Sequence, residues 1–86
     1  MIPDKEIFYT MQAIAAIFLR FNVKTVPVDN KFMDIEKYCN IKSIKNLLTN
    51  LQIMLYNWEQ INNKPHPYNK ILTDFYFKFY KLKKAI

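Results

Sequence analysis

An all-α fold is predicted by three observations: a long apolar stripe of helical period at residues 41–61, an almost continuously apolar helical stretch before it, and a third helical period near the end. The expected architecture is a small helical bundle of three long helices and one short helix. A short extended connector and a loose helix-turn-helix unit complete it, in a single domain over residues 1–86. A chain of this size buries about 60–65% of its unfolded surface, so its stability is modest. A composition 51% apolar and 16% aromatic nevertheless argues for a packed core rather than disorder.

The first helix opens at Pro3 and Asp4. Proline suits a first helical turn, and an aspartate there serves as a cap and meets the positive end of the helix dipole. Ile7, Met11, Ile14, Phe18 and Phe21 step by 4, 3, 4 and 3 and share one face. From Ala13 onward nearly every residue is apolar, and Ala13, Ala16 and Ile17 lie away from the main stripe. A helix apolar most of the way round is covered on several sides. Either it is the central helix of the bundle, or Ala13, Ala16 and Ile17 form a homodimer contact.

The chain contains no glycine, so asparagine is the residue best able to take the left-handed conformation that ends a helix. Asn22 is expected to end the first helix, and Asn30, Asn40, Asn62 or Asn63, and Asn69 mark further junctions. Residues 22–29 read as extended, because Val23, Val26 and Val28 are β-branched and Pro27 disfavours helix before it. A short strand is one form this could take. Asp29 or Asn30 then caps a short helix reaching Cys39, with Phe32, Ile35 and Cys39 on one face.

The stripe at 41–61 consists of Ile41, Ile44, Leu48, Leu51, Leu55 and Trp58, flanked by Leu47, Met54 and Ile61. Its arc spans roughly 160° at 100° per residue, wider than a two-stranded coiled-coil seam, so this helix should touch two or more elements. Ile53 and Tyr56 break the pattern on the polar side. Scattered exposed apolar residues are ordinary, and the functional alternative is a protein contact patch. Pro65 and Pro67 place a loop at 62–69. Beyond it Phe75, Phe77 and Phe79 alternate as in a strand, whereas Tyr68, Leu72, Phe75, Phe79, Leu82 and Ile86 step as in a helix. The helical pattern covers more residues, and an aromatic strand here would lack a partner, so helix is expected.

The net charge is +6 and is unevenly placed. Residues 1–40 hold five cations and five anions, and residues 41–86 hold eight lysines against Glu59 and Asp74. Twelve lysines stand against one arginine, and Asn, Lys, Ile, Phe and Tyr supply 45 of 86 residues, a bias that fits an AT-rich genome or a mobile genetic element. The most apolar run, 13–19, is far shorter than the about 20 residues a membrane span needs. Asp4 and Glu6 with no cleavage site after that run argue against a signal peptide, so a cytoplasmic protein is expected. The single cysteine, Cys39, has no internal disulfide partner and sits on an apolar face, which suits the core.

Little here suggests catalysis. A Gly-rich phosphate loop is excluded by composition. The lone His66, between two prolines, reads as a solvated loop residue, and metal sites and triads need partners. Asp34 and Glu36 do not share a helical face. The expectation is a non-enzymatic protein with no catalytic or metal-binding residues and no cofactor.

The surfaces that point outward are basic. Opposite the core stripe of the last helix lie Lys70, Phe77, Lys81 and Lys84, with Tyr80 and Lys78 beside them. Rings amid lysines suit nucleic acid, since a ring stacks on a base and ammonium groups neutralise phosphates. An anionic membrane surface would also suit them, and lysines in a last turn also simply complement the helix dipole. Residues 32–50 resemble a helix-turn-helix unit, with Lys42 and Lys45 near the start of its second helix. Cations there oppose the dipole, and a phosphate would relieve that cost. Asn40 stands where the motif has glycine, and Ile44 follows Ile41 at a shorter spacing than the motif uses. The expected function is a nucleic-acid-binding accessory protein, for DNA or RNA. The alternative is a protein-interaction module, such as an inhibitor, an immunity-type factor or a small subunit.

Overall fold

A computed structural model describes residues 4–33, 35, 37 and 39–86. Three α-helices form the bundle: α1 (Asp4–Arg20), α2 (Ile41–Asn62) and α3 (Asn69–Ala85). Pro3, expected at the start of α1, lies outside the described residues, as do Asp34 and Glu36.

Asparagine supplies the punctuation. At the end of α1, Asn22 takes φ 62°. Its N–H donates to the Leu19 carbonyl at 3.0 Å, and the Val23 N–H donates to the Phe18 carbonyl at 2.9 Å. This pair of bonds is a Schellman closure, which satisfies carbonyls the helix leaves open. Asn63 ends α2 in the same left-handed conformation, φ 54°, but through a single bond, its N–H on the Glu59 carbonyl at 2.8 Å. Asn40 starts α2, its side-chain oxygen accepting from the Ser43 N–H at 2.8 Å.

The core joins all three helices. Ile7, Met11, Ile14, Ile17 and Phe18 of α1 meet Ile44, Leu48, Leu51 and Leu55 of α2 and Phe75, Phe79 and Leu82 of α3. Phe18 and Phe75 touch with ring centroids 5.6 Å apart. The α2 stripe is wide because it packs on both neighbours. Ile61, expected beside that stripe, is 57% exposed. It falls in the last turn of α2.

The connector is extended without being a strand. Val23, Val26 and Val28 pack on the core, and no strand occurs among the described residues. Its backbone groups are satisfied by a side chain. Buried Gln12 of α1 donates to the Pro27 carbonyl at 2.9 Å and accepts from the Asp29 N–H at 2.7 Å. Of the short helix expected up to Cys39, the described residues show a 3-10 turn, Asn30–Phe32, capped by Asp29, whose carboxylate accepts from the Lys31 N–H at 3.2 Å, and residues 34, 36 and 38 lie outside the described residues. Among the described residues no α-helix precedes α2 closely, so the first half of a helix-turn-helix unit is not formed there.

Two of the residues expected at a homodimer contact are internal. Ala16 is 2% exposed and Ile17 is fully buried, while Ala13 is half-buried. The covering that α1 needs comes from α2, α3 and the connector of the same chain.

Candidate nucleic-acid interface

The register between α2 and α3 decides which lysines meet. Glu59 of α2 accepts a hydrogen bond from the Asn69 side chain at the start of α3. Seven residues back along α2, Gln52 accepts from the Tyr76 hydroxyl at 2.6 Å, seven residues forward along α3. The helices are therefore antiparallel, and two turns further on Lys45 reaches the level of Lys83. Lys42 and Lys45 of the first turns of α2 thus share one end of the bundle with Lys83 and Lys84 of the last turns of α3, and all four are exposed. Asp4 accepts from the Trp58 indole N–H at 3.1 Å, which sets the start of α1 against the end of α2. The end of α1 with Arg20 accordingly points toward the same basic end, where the Arg20 guanidinium donates to the Met33 carbonyl.

Two aromatic rings stand next to these lysines. Tyr80 is 56% exposed and Phe77 is 61% exposed. The Lys81 ammonium lies 4.6 Å from the centre of the Phe77 ring, and Lys83 lies 5.6 Å from that of Phe79. Tyr80 leans on Tyr76, with centroids 6.4 Å apart and planes 28° apart. Burial raises the Tyr76 pKa, and the neighbouring Tyr80 adds to the shift, so its hydroxyl stays protonated and donates to Gln52.

Two expected members of this surface stand elsewhere. Lys70 is exposed but begins α3, about 21 Å by helix rise from Lys84. Lys78 is half-buried and engaged: its ammonium donates to the Lys24 carbonyl at 2.8 Å and pairs with Asp74 at 2.9 Å. Its role is to fasten α3 to the connector. Lys83 flanks the core stripe of its own helix, so no sequence pattern singles it out. Only the α2–α3 register brings it to Lys45.

Ile53 and Tyr56 are 53% and 60% exposed. They line a groove of about 540 Å³ between α2 and α3, with Thr49, Gln52, Asn69 and Leu72.

The far end of the bundle carries the histidine, and it is not solvated as its loop position suggests. His66 is 9% exposed, edge-on to Trp58 at 4.5 Å and to Tyr68 at 4.9 Å. Its Nδ1 accepts from the Tyr68 N–H at 2.9 Å, which assigns the neutral ring its proton at Nε2. Its own backbone N–H donates to the Glu59 carboxylate at 2.7 Å. Burial pushes the imidazole below its usual range, against the opposing pull of Asp4 and Glu59. Glu59 is held below the usual carboxylate range by the His66 N–H and then by Asn69. These bonds tie the loop to α2. Cys39 is half-buried and its thiol donates to the Ile35 carbonyl at 3.3 Å. Among the described residues no group of three or more His, Cys, Asp or Glu side chains is arranged to hold a metal. No helix among them is long and apolar enough to cross a membrane.

Comparison with family models, with curated proteins and with solved structures returns no match.

Proposed function

We propose that this chain is a small non-enzymatic accessory protein that binds nucleic acid, DNA or RNA, through the phosphate backbone. The observation that supports the reading is that the α2–α3 register puts Lys42 and Lys45 at the same end of the bundle as Lys83 and Lys84, all exposed. Each ammonium neutralises a phosphate and releases a condensed counterion. Lys42 and Lys45 gain further, because an anion at the start of α2 relieves their conflict with the helix dipole. Lys81 extends the same surface along α3 past Phe77. Lysines suit backbone contact, since base edges are read mostly by bidentate side chains, and the one arginine at this end, Arg20, is engaged with the Met33 carbonyl. The AT-rich compositional bias fits a cytoplasmic protein of such a genome or of a mobile genetic element.

Titration of fluorescent oligonucleotides at rising salt tests this. The expected affinity is about 1–100 μM near physiological salt, with log K falling by about 3 per decade of salt for four phosphate contacts. The triple variant Lys45→Glu/Lys83→Glu/Lys84→Glu should abolish binding while the circular dichroism spectrum stays helical, since all three side chains are exposed. No binding at low salt would remove the reading.

A second reading is favoured by Ile53 and Tyr56, which stay exposed over the α2–α3 groove. They suit a protein-interaction module: an inhibitor, an immunity-type factor or a small subunit of a larger complex. A complex of that kind would tolerate moderate salt and would be lost in Ile53→Asp/Tyr56→Asp, not in the lysine variant.

A further inference from the structure

We propose that the nucleic acid taken by this surface is single-stranded, and that Tyr80 is the platform on which one of its bases stacks. The proposal rests on the nucleic-acid reading above and adds the ligand class and the residue that selects it.

Tyr80 is exposed yet braced. One side of its ring leans on Tyr76 at 6.4 Å, within the range of offset stacking. Tyr76 is itself half-buried, and its hydroxyl is anchored to Gln52 of α2 at 2.6 Å. The chain of contacts Gln52–Tyr76–Tyr80 holds the ring from the neighbouring helix before any ligand arrives. Little ordering is then left for binding to impose. Lys83 and Lys84 follow Tyr80 by three and four residues, and so stand beside it on the helix surface, with Lys45 across from Lys83. A base on the ring therefore has cations at hand for the phosphates on either side of it. Phe77 is the weaker platform, because the Lys81 ammonium already lies over its ring.

The choice of single strand follows from what each form of nucleic acid offers. A duplex covers its base faces by stacking and presents base edges in its grooves, where arginine, asparagine and glutamine read them best. The outward face of α3 bears Lys70, Thr73, Phe77, Tyr80, Lys81 and Lys84, and none of those three residue types. Asn69, at its start, is committed to Glu59. Aromatic rings match base faces, which are open only where bases are unpaired. Lysine and tyrosine together impose little sequence preference, because every base has a face and every nucleotide a phosphate.

The test compares a labelled single strand with a hairpin duplex of matching total length, both titrated at one low salt concentration. Wild type, Tyr80→Ala, Tyr80→Phe and Gln52→Ala are measured, with circular dichroism to confirm the fold of each. The expected result is tighter binding of the single strand, and a loss of about tenfold or more for it in Tyr80→Ala. Tyr80→Phe keeps the ring and should stay near wild type, while Gln52→Ala should fall between the two. Equal binding of both forms, or an unchanged single-strand affinity in Tyr80→Ala, would overturn the proposal and leave the nucleic-acid reading standing. If neither form binds at low salt, that reading has failed and this proposal falls with it.

Discussion

His66 is held neutral by its surroundings, and this makes stability depend on pH. The ring is nearly buried against Trp58 and Tyr68, and its Nδ1 is an acceptor that a proton would convert into a donor facing the Tyr68 N–H. A base whose pKa is lower folded than unfolded binds fewer protons in the native state. Its contribution is complete above the ordinary imidazole value of about 6.5 and is lost as pH falls through that value toward the folded one. Glu59 acts in the same direction at lower pH. Its folded pKa is depressed, so its contribution is present above the ordinary glutamate range and is lost as pH falls through the folded value. Thermal melts should give a constant midpoint from about pH 8 to 7, a decline starting near pH 6.5, and a second decline in the carboxylate range. His66→Phe should remove the first decline and keep the second. A flat profile across the imidazole range would contradict the burial of this side chain. None of this was legible in the sequence, where a histidine between two prolines reads as solvent-exposed. The same holds for Gln12, whose partners Pro27 and Asp29 lie more than a dozen residues away. The available signal was indirect: an extended connector with no strand partner needs its backbone groups bonded to something.

Helix ends and faces were far more legible than buried polar contacts. In a chain without glycine, the positions that must turn left-handed fall to asparagine, and Asn22 and Asn63 do so. Replacing Asn22 by valine should destabilise the domain by about 1–2 kcal/mol, because a β-branched Cβ crowds the following carbonyl at positive φ. Asn22→Gly should hold or raise stability, and urea unfolding checks both. A valine variant as stable as wild type would mean that this closure does not hold the end of α1. In α3 two periods competed, since Phe75, Phe77 and Phe79 also alternate as in a strand. Helical period wins: Phe75 and Phe79 are buried while Phe77 is 61% exposed. The short helix expected before α2 is matched only in part, by the 3-10 turn Asn30–Phe32. Among the described residues its apolar face begins in a 3-10 turn, and Phe32, Ile35 and Cys39 are half-buried. Ala16 and Ile17 looked like an outer face because a helical wheel cannot show that the connector returns over α1.

Charge is organised over the whole molecule. Its Cα extents are 38 × 27 × 20 Å, and α2 alone runs about 33 Å by helix rise. Asp4, Glu6 and Glu59 lie toward one end, while Lys42, Lys45, Lys83 and Lys84 lie at the other. The screening length at physiological salt is about 8 Å, so a ligand at the basic end feels little of the distant carboxylates. Local charge there, more than the net +6, sets the attraction. The sequence revealed the excess of lysine in the second half but not its grouping, because that depends on how α2 and α3 are aligned. The same alignment separates Lys70 from the cluster and leaves Lys78 bound to Asp74 and the Lys24 carbonyl. Binding at the basic end is tested most directly by following the backbone amides of labelled protein by NMR while a single-stranded oligonucleotide is added at low salt. Shifts are expected to concentrate in the first turns of α2 and the last turns of α3 and to fade as salt rises. Shifts centred on Ile53 and Tyr56, or none at all, would contradict it.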